Sequence, residues 1–146
     1  MTMHSMKHWI AACLGLLLCA VTAHAGDYRY VAPDDMKTWL ETGKKMVMVD
    51  IQPAPDFARQ HFEGAVETNA FPVEKDEERH RLDHAVQLAK DSGQDVVVVC
   101  PRGKGGAKRT YDYFRDNGID ESKLFILTDG MDKWPHKSLV KGSGKD

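Results

Sequence analysis

Cys100 closes a run of four valines, Val96 to Val99, and the chain continues Pro101-Arg102-Gly103-Lys104-Gly105-Gly106-Ala107-Lys108-Arg109. Four consecutive valines are the pattern of a strand buried on both faces. The cysteine therefore stands at a strand's carboxyl end, where open α/β sheets bind their ligands. Gly103, Gly105 and Gly106 let the backbone curl so that several N–H groups point inward as an anion nest. A following helix adds the positive end of its dipole. Arg102, Lys104, Lys108 and Arg109 gather positive charge in a chain whose net charge is −2. Such surroundings stabilise a thiolate and are expected to draw its pKa from about 8.5 toward roughly 3.5–7.5. They also suit the anion that the thiolate would attack. A cysteine at such a place can be a small buried hydrophobe, and the glycines can be an ordinary turn. Taken together, lone cysteine, strand end, glycines and basic cluster favour a nucleophile. Nucleotide loops fit less well, because G-x-x-x-x-G-K-[ST] finds no place here and G-x-G-x-x-G fails at Lys108.

Cys100 is alone only if the amino-terminal segment is removed. Lys7 precedes an apolar run from Trp9 to Val21, and Ala23-His24-Ala25 supplies an A-x-A cleavage site. Residues 1–25 thus read as a secretory signal peptide, with the mature chain starting at Gly26 and the protein periplasmic or secreted. The run of 13 residues is short of the roughly 20 a membrane span needs, so no stable membrane insertion is expected after cleavage. Leu18 before Cys19 is wrong for a lipoprotein. Cleavage removes Cys13 and Cys19. At 42% hydrophobic and 29% charged residues, the 146-residue chain has the composition of one globular domain, here residues 26–146. With 20 basic and 22 acidic residues there is no global basic field, and a nucleic-acid partner is not expected.

The elements that must position the cysteine alternate between strand and helix. Tyr28 to Val31 is a strand candidate. Pro33, Asp34 and Asp35 open a helix whose apolar side is Met36, Trp39 and Leu40 and which Gly43 ends. Val47-Met48-Val49 is a short apolar strand ending at Asp50, and Pro55 to Gln60 is a short helix closed by Gly64. Ala65 to Phe71 is read as another strand. Between Glu74 and Asp91, Leu82, Ala85, Val86 and Ala89 fall at helical spacing within a solvated, charged stretch. Ala107, Thr110, Tyr111 and Phe114 repeat that spacing before Asn117-Gly118, Leu124 to Leu127 is a strand, and Asp129-Gly130 a turn. Gly142 to Asp146 reads as a flexible tail. This alternation predicts a three-layer α/β domain with a central, mainly parallel sheet.

Four segments resemble, in order, the landmarks of the rhodanese family. Val47-Met-Val-Asp50-Ile-Gln52 resembles its strand ending in D-x-R. Phe57 to Ala65, with His61 and Gly64, resembles G-H-I-x-G-A. Val96 to Gly103 resembles V-V-x-C-x-x-G, and Leu127 to Trp134 resembles L-x-G-G-x-x-x-W. The resemblance covers about Val31 to Trp134 and implies a rhodanese-like fold over about 31–136. It implies that Cys100 takes sulfane sulfur from a small anionic donor such as thiosulfate, forming a persulfide. A thiophilic acceptor such as cyanide or a protein thiol then removes it. Arg102, Gly103, Lys104, Gly105 and Gly106 carry over as the anion-binding cradle. No cofactor or metal is implied.

The chain departs from the family at several places. Gln52 stands where arginine is usual, Gln60 replaces the glycine before His61, and Asp129 replaces the first glycine of the closing pair. Phe114 and Gly118 lie one residue further from Cys100 than usual, which reads as a longer loop like those of related phosphatases and arsenate reductases. Those enzymes need C-x5-R for an oxyanion clamp, and Gly106 occupies the arginine's place. Two alternatives stand beside sulfur transfer: a phosphatase or arsenate reductase, and a non-catalytic sulfur-carrier or binding module. His80 and His84 have metal-ligand spacing but are read as part of a solvated face. Asp50 and His61 are read as structural, and Trp39 and Trp134 as core aromatics.

Overall fold

The computed structural model describes residues 27–144; the leader read at residues 1–25 and its junction at Gly26 lie outside them. Strand β1 (Tyr30–Val31) leads into helix α1 (Pro33–Glu41), which Pro33 and two acids open. Then come β2 (Met46–Asp50), α2 (Ala54–Arg59), β3 (His61–Phe62) and β4 (Val66–Glu67). The second half holds α3 (Asp76–His80), α4 (Asp83–Ser92), β5 (Asp95–Val99), α5 (Gly105–Asp116), β6 (Leu124–Leu127) and β7 (Val140–Lys141). The main sheet has the order β1-β6-β5-β2-β4, and every pairing in it is parallel. The parallel α/β architecture expected from the alternation is present.

A period of two assigns the strand side chains to two cores. Val47, Val49 and Ile51 of β2 and its end join Val96, Val98 and Cys100 on one face, under α4 and α5. Met48, Val97 and Val99 face the other way, onto Met36, Phe62 and Trp134. Cys100 therefore belongs to the face that α5 covers. Trp134 is buried as expected, whereas Trp39 is half-buried, set against Phe125 with the Lys44 ammonium 3.4 Å above its ring.

Four expected elements differ. The strand read over Ala65 to Phe71 is only the two residues of β4; Asn69 then takes a left-handed φ of +52°, which ends regular pairing with β2. The charged stretch from Glu74 holds two helices. Every residue of α3 is at least partly exposed, so no buried face holds it in line with α4, which buries Ala85, Val86 and Ala89. The strand from Tyr28 shortens to two residues. The carboxyl-terminal tail is tied down at its start: β7 pairs antiparallel with β3, and the Ser143 N–H donates to the Ala58 carbonyl. The sequence there shows no apolar alternation that would have signalled this pairing.

Candidate active site

Cys100 lies where β5 leaves the sheet, and residues 101–104 turn the chain into α5. Two glycines make that turn possible. Gly103 has φ +63°, and a β-carbon on it would come 2.8 Å from the Leu127 carbonyl and 2.9 Å from the Asp129 nitrogen. Gly130 has φ +63° on the opposing segment, and a β-carbon there would run into the Cys100 carbonyl. Backbone bonds lock the two segments: Met131 N–H donates to the Cys100 carbonyl at 2.8 Å and Asp132 N–H to that of Pro101 at 2.9 Å. Between these glycines Asp129 stands at φ +58°, a conformation aspartate tolerates better than most residues. The departure from the usual glycine pair is thus accommodated.

The sulfur is held from within its own loop. The Gly103 N–H donates to Cys100 Sγ at 2.8 Å. Cys100 is only 2% exposed, and burial pushes its thiol pKa up; the backbone N–H groups of Gly103, Arg102, Lys104 and Ala107 oppose that without overcoming it. The expectation of a depressed pKa is thereby overturned. Peptide dipoles carry no net charge, and the Arg102 and Lys104 side chains extend into solvent while the sulfur itself is desolvated.

A cavity of about 190 Å³ opens over the sulfur. Its floor and one side are Cys100, Arg102, Lys104, Gly105 and Gly106, so the structure brings together the expected cradle residues, with Gly103 buried beneath them. Lys108 does not join them; its ammonium lies 5.2 Å from the centre of the Tyr28 ring, on another side of α5. Arg109, expected in the basic cluster, completes the other wall from α5, beside Phe71, Pro72 and Glu74, which were not legible in the sequence. Pro72 in the segment after β4 was the available signal. Gly106 is glycine for a steric reason, since a β-carbon there would lie 3.0 Å from the Phe71 ring. Any side chain in its place would press on that wall from its β-carbon onward.

Beneath the loop, Asp50 is fully buried. Its Oδ1 accepts from the Gln52 N–H at 2.9 Å and its Oδ2 from Gln52 Nε2 at 3.0 Å. Burial raises its pKa from 3.8 to about 6, against the lowering by the two Gln52 bonds. Gln52 Nε2 also donates to the Gln60 carbonyl, and Gln60 Nε2 donates to the Met131 carbonyl. His61 stacks on Phe57 and its Nδ1 bonds the Phe57 carbonyl at 2.7 Å, a local turn contact. His80 bonds Asp83, and among the described residues no group of three His, Cys, Asp or Glu side chains is placed to hold a metal.

Comparison with solved structures finds the same fold. An arsenic–antimony reductase from Leishmania major matches with a TM-score of 0.62 at 13% identity, over 80% of this chain and 86% of its own. A yeast protein tyrosine phosphatase of the rhodanese family matches at 0.60 and 16%, over 83% and 95%. A thiosulfate sulfurtransferase from Pseudomonas aeruginosa matches at 0.55 and 15%, over 82% of this chain and 20% of that longer one. At these identities the likeness is one of fold, and the three activities divide over a shared frame. No curated protein is similar enough in sequence to match. The model of the rhodanese-like domain matches residues 32–137, a span that runs from the start of α1 past Trp134 and includes the whole cysteine loop. The chain belongs to the rhodanese-like domain family.

Proposed function

We propose that this protein is a sulfurtransferase that carries sulfane sulfur on Cys100. The observation that supports it most is the placement of Sγ at the floor of a small cavity, with the Gly103 N–H at 2.8 Å and basic side chains at the rim. At about 190 Å³ the cavity is smaller than the roughly 300–1,000 Å³ typical of sites for drug-sized ligands. A small inorganic anion suits it.

With thiosulfate as donor, Cys100 Sγ bonds to the outer sulfur as the donor's S–S bond breaks. The electron pair of that bond and the thiol proton depart as hydrogen sulfite, leaving an anionic persulfide. The outer sulfur then carries the negative charge, and the N–H groups of Arg102, Gly103, Lys104 and Ala107 that already face the cysteine stabilise it without reorganising. Cyanide or a protein thiol next removes that sulfur; with cyanide the product is thiocyanate, and the Cys100 thiolate left behind takes up a proton from solvent to restore the resting thiol. The raised thiol pKa agrees with a resting enzyme that is protonated and exports its proton with the leaving group.

The phosphatase and arsenate-reductase reading lacks the C-x5-R arginine of its own loop, because position 106 is Gly106, where a β-carbon would already lie 3.0 Å from the Phe71 ring. The test is direct. Incubated with thiosulfate, the protein should gain one sulfur atom, discharge it to cyanide, and lose both steps in Cys100→Ser. A wild-type thiol that alkylates normally yet never gains sulfur would refute this assignment. Hydrolysis of an aryl phosphate would favour phosphoryl chemistry, and sulfur accepted only from a protein donor would favour a carrier module.

A further inference from the structure

The basic residues at the cavity differ in how firmly they are held. Arg102 and Lys104 are exposed. Arg109 is pinned. Its Nε and Nη2 donate to the Pro72 carbonyl at 3.0 and 2.9 Å, and Nη2 lies 3.3 Å from Glu74 Oε1. Nη1 sits 3.1 Å from the point a Gly105 β-carbon would occupy. Among the described residues no acceptor takes the N–H groups of Nη1, and the guanidinium lines the same cavity as Cys100. Without a β-carbon, Gly105 lets the guanidinium lie against the start of α5.

We infer that Arg109 is a specificity-determining residue, which reads the oxyanion end of the sulfur donor through Nη1 and so selects sulfonate-type donors such as thiosulfate over persulfides whose leaving group carries no oxyanion. The inference rests on the sulfurtransferase reading of this site. A planar guanidinium fixed on one edge presents its free edge in a set direction, which suits the oxygens of an SO3 group. Little side-chain freedom remains to be lost when the donor binds. Glu74 is the opposing element. Its carboxylate draws on the same guanidinium and places negative charge at the mouth, weakening the attraction for a dianion.

Donor kinetics with cyanide as acceptor test this, since in a ping-pong reaction kcat/KM for the donor reports only the first half. Thiosulfate is compared with 2-hydroxyethyl persulfide, whose leaving thiol bears no oxyanion. Arg109→Gln should lower kcat/KM for thiosulfate about ten- to a hundredfold, the weight of a charge-assisted hydrogen bond. The constants for the persulfide and for cyanide should stay within about twofold. Arg109→Lys should recover part of the loss, and Glu74→Gln should raise the thiosulfate value severalfold. Equal losses on both donors would assign Arg109 to holding the Pro72 segment, and an unchanged thiosulfate value would remove it from the site; either overturns the inference. Should wild-type protein form no persulfide from thiosulfate, the sulfurtransferase reading falls separately. Protection of Cys100 from iodoacetamide by sulfite then decides about Arg109. Protection lost in Arg109→Gln supports an oxyanion contact, and protection retained overturns it.

Discussion

Asp50 should make the fold less stable as pH rises through the mildly acidic range, and Asp50→Asn should abolish that dependence. The carboxyl group is fully buried, with two Gln52 N–H donors and, among the described residues, no cation bonded to it. Its pKa is raised to about 6 from 3.8 by that burial. A shift of this size corresponds to about 3 kcal/mol of preference for the neutral acid, at about 1.4 kcal/mol per pH unit. Between about pH 4 and pH 6 the folded chain binds a proton that the unfolded chain has released, so stability contributed by this group falls as pH rises. It is fully present below about 4 and gone above about 6.

Asparagine cannot ionise, but it presents an N–H pair to Gln52 Nε2. Gln52 cannot simply turn over, because the same Nε2 serves the Gln60 carbonyl. The variant should therefore lose about 1–3 kcal/mol at every pH, and the pH-dependent part should sit on top of that constant. Urea unfolding of both proteins at intervals from pH 4 to pH 7.5 isolates it, since other carboxylates titrate alike in the two and cancel in the difference. The difference should move in the variant's favour by about 3 kcal/mol, or about 1–3 M in midpoint at ordinary m-values. Parallel stability curves across the range would refute a neutral buried Asp50.

Gly130→Ala drives a β-carbon into the Cys100 carbonyl at a left-handed φ; it should cost about 3 kcal/mol or more by urea unfolding and impair sulfur uptake. Stability equal to wild type would contradict the close approach of the two segments. The alkylation rate of Cys100 should rise to half its maximum above the ordinary thiol range near about 8.5, because burial outweighs the loop's N–H donors. An inflection below pH 8 would show that the donors win.

The parts of this molecule legible in the sequence are those set by local pattern. The valines at 96–99 force a buried strand, so Cys100 must emerge at its end and Gly103 bends the chain there, whereas Gly105 and Gly106, read as part of the same bend, are the first residues of α5. Period-two alternation carries that reading on to the face Cys100 occupies. The parts that failed depend on what lies opposite. The pKa direction at Cys100 is decided by desolvation under α5 and the Phe71 wall, while the sequence shows only the number of nearby cations. The break between α3 and α4 follows from α3 burying no residue, which charge alone does not distinguish from a solvated helix face. Arg109 was visible as a charge beside Lys108, but helical geometry sends one to the cavity and the other to the Tyr28 ring.

Gln52 and Gln60 look like two unrelated departures from the family pattern, yet they form one local exchange. Gln52 Nε2 bridges the Asp50 carboxylate and the Gln60 carbonyl, and the Gln60 side chain spans from the Met131 carbonyl to the Lys137 ammonium. Met131 in turn donates its N–H to the Cys100 carbonyl. A continuous run of hydrogen bonds thus joins the end of β2 to the backbone of Cys100, with neutral amides where the family pattern has an arginine and a glycine. Amides satisfy the donors and acceptors that burial requires but supply no charge to balance Asp50. The same exchange that keeps the loop in place therefore leaves a carboxyl group with a pKa near 6 beneath it. Burial of Asp50 sets the acid-range stability, and Gln52 and Gln60, eight positions apart in the sequence, tie that carboxyl group to the backbone of the loop.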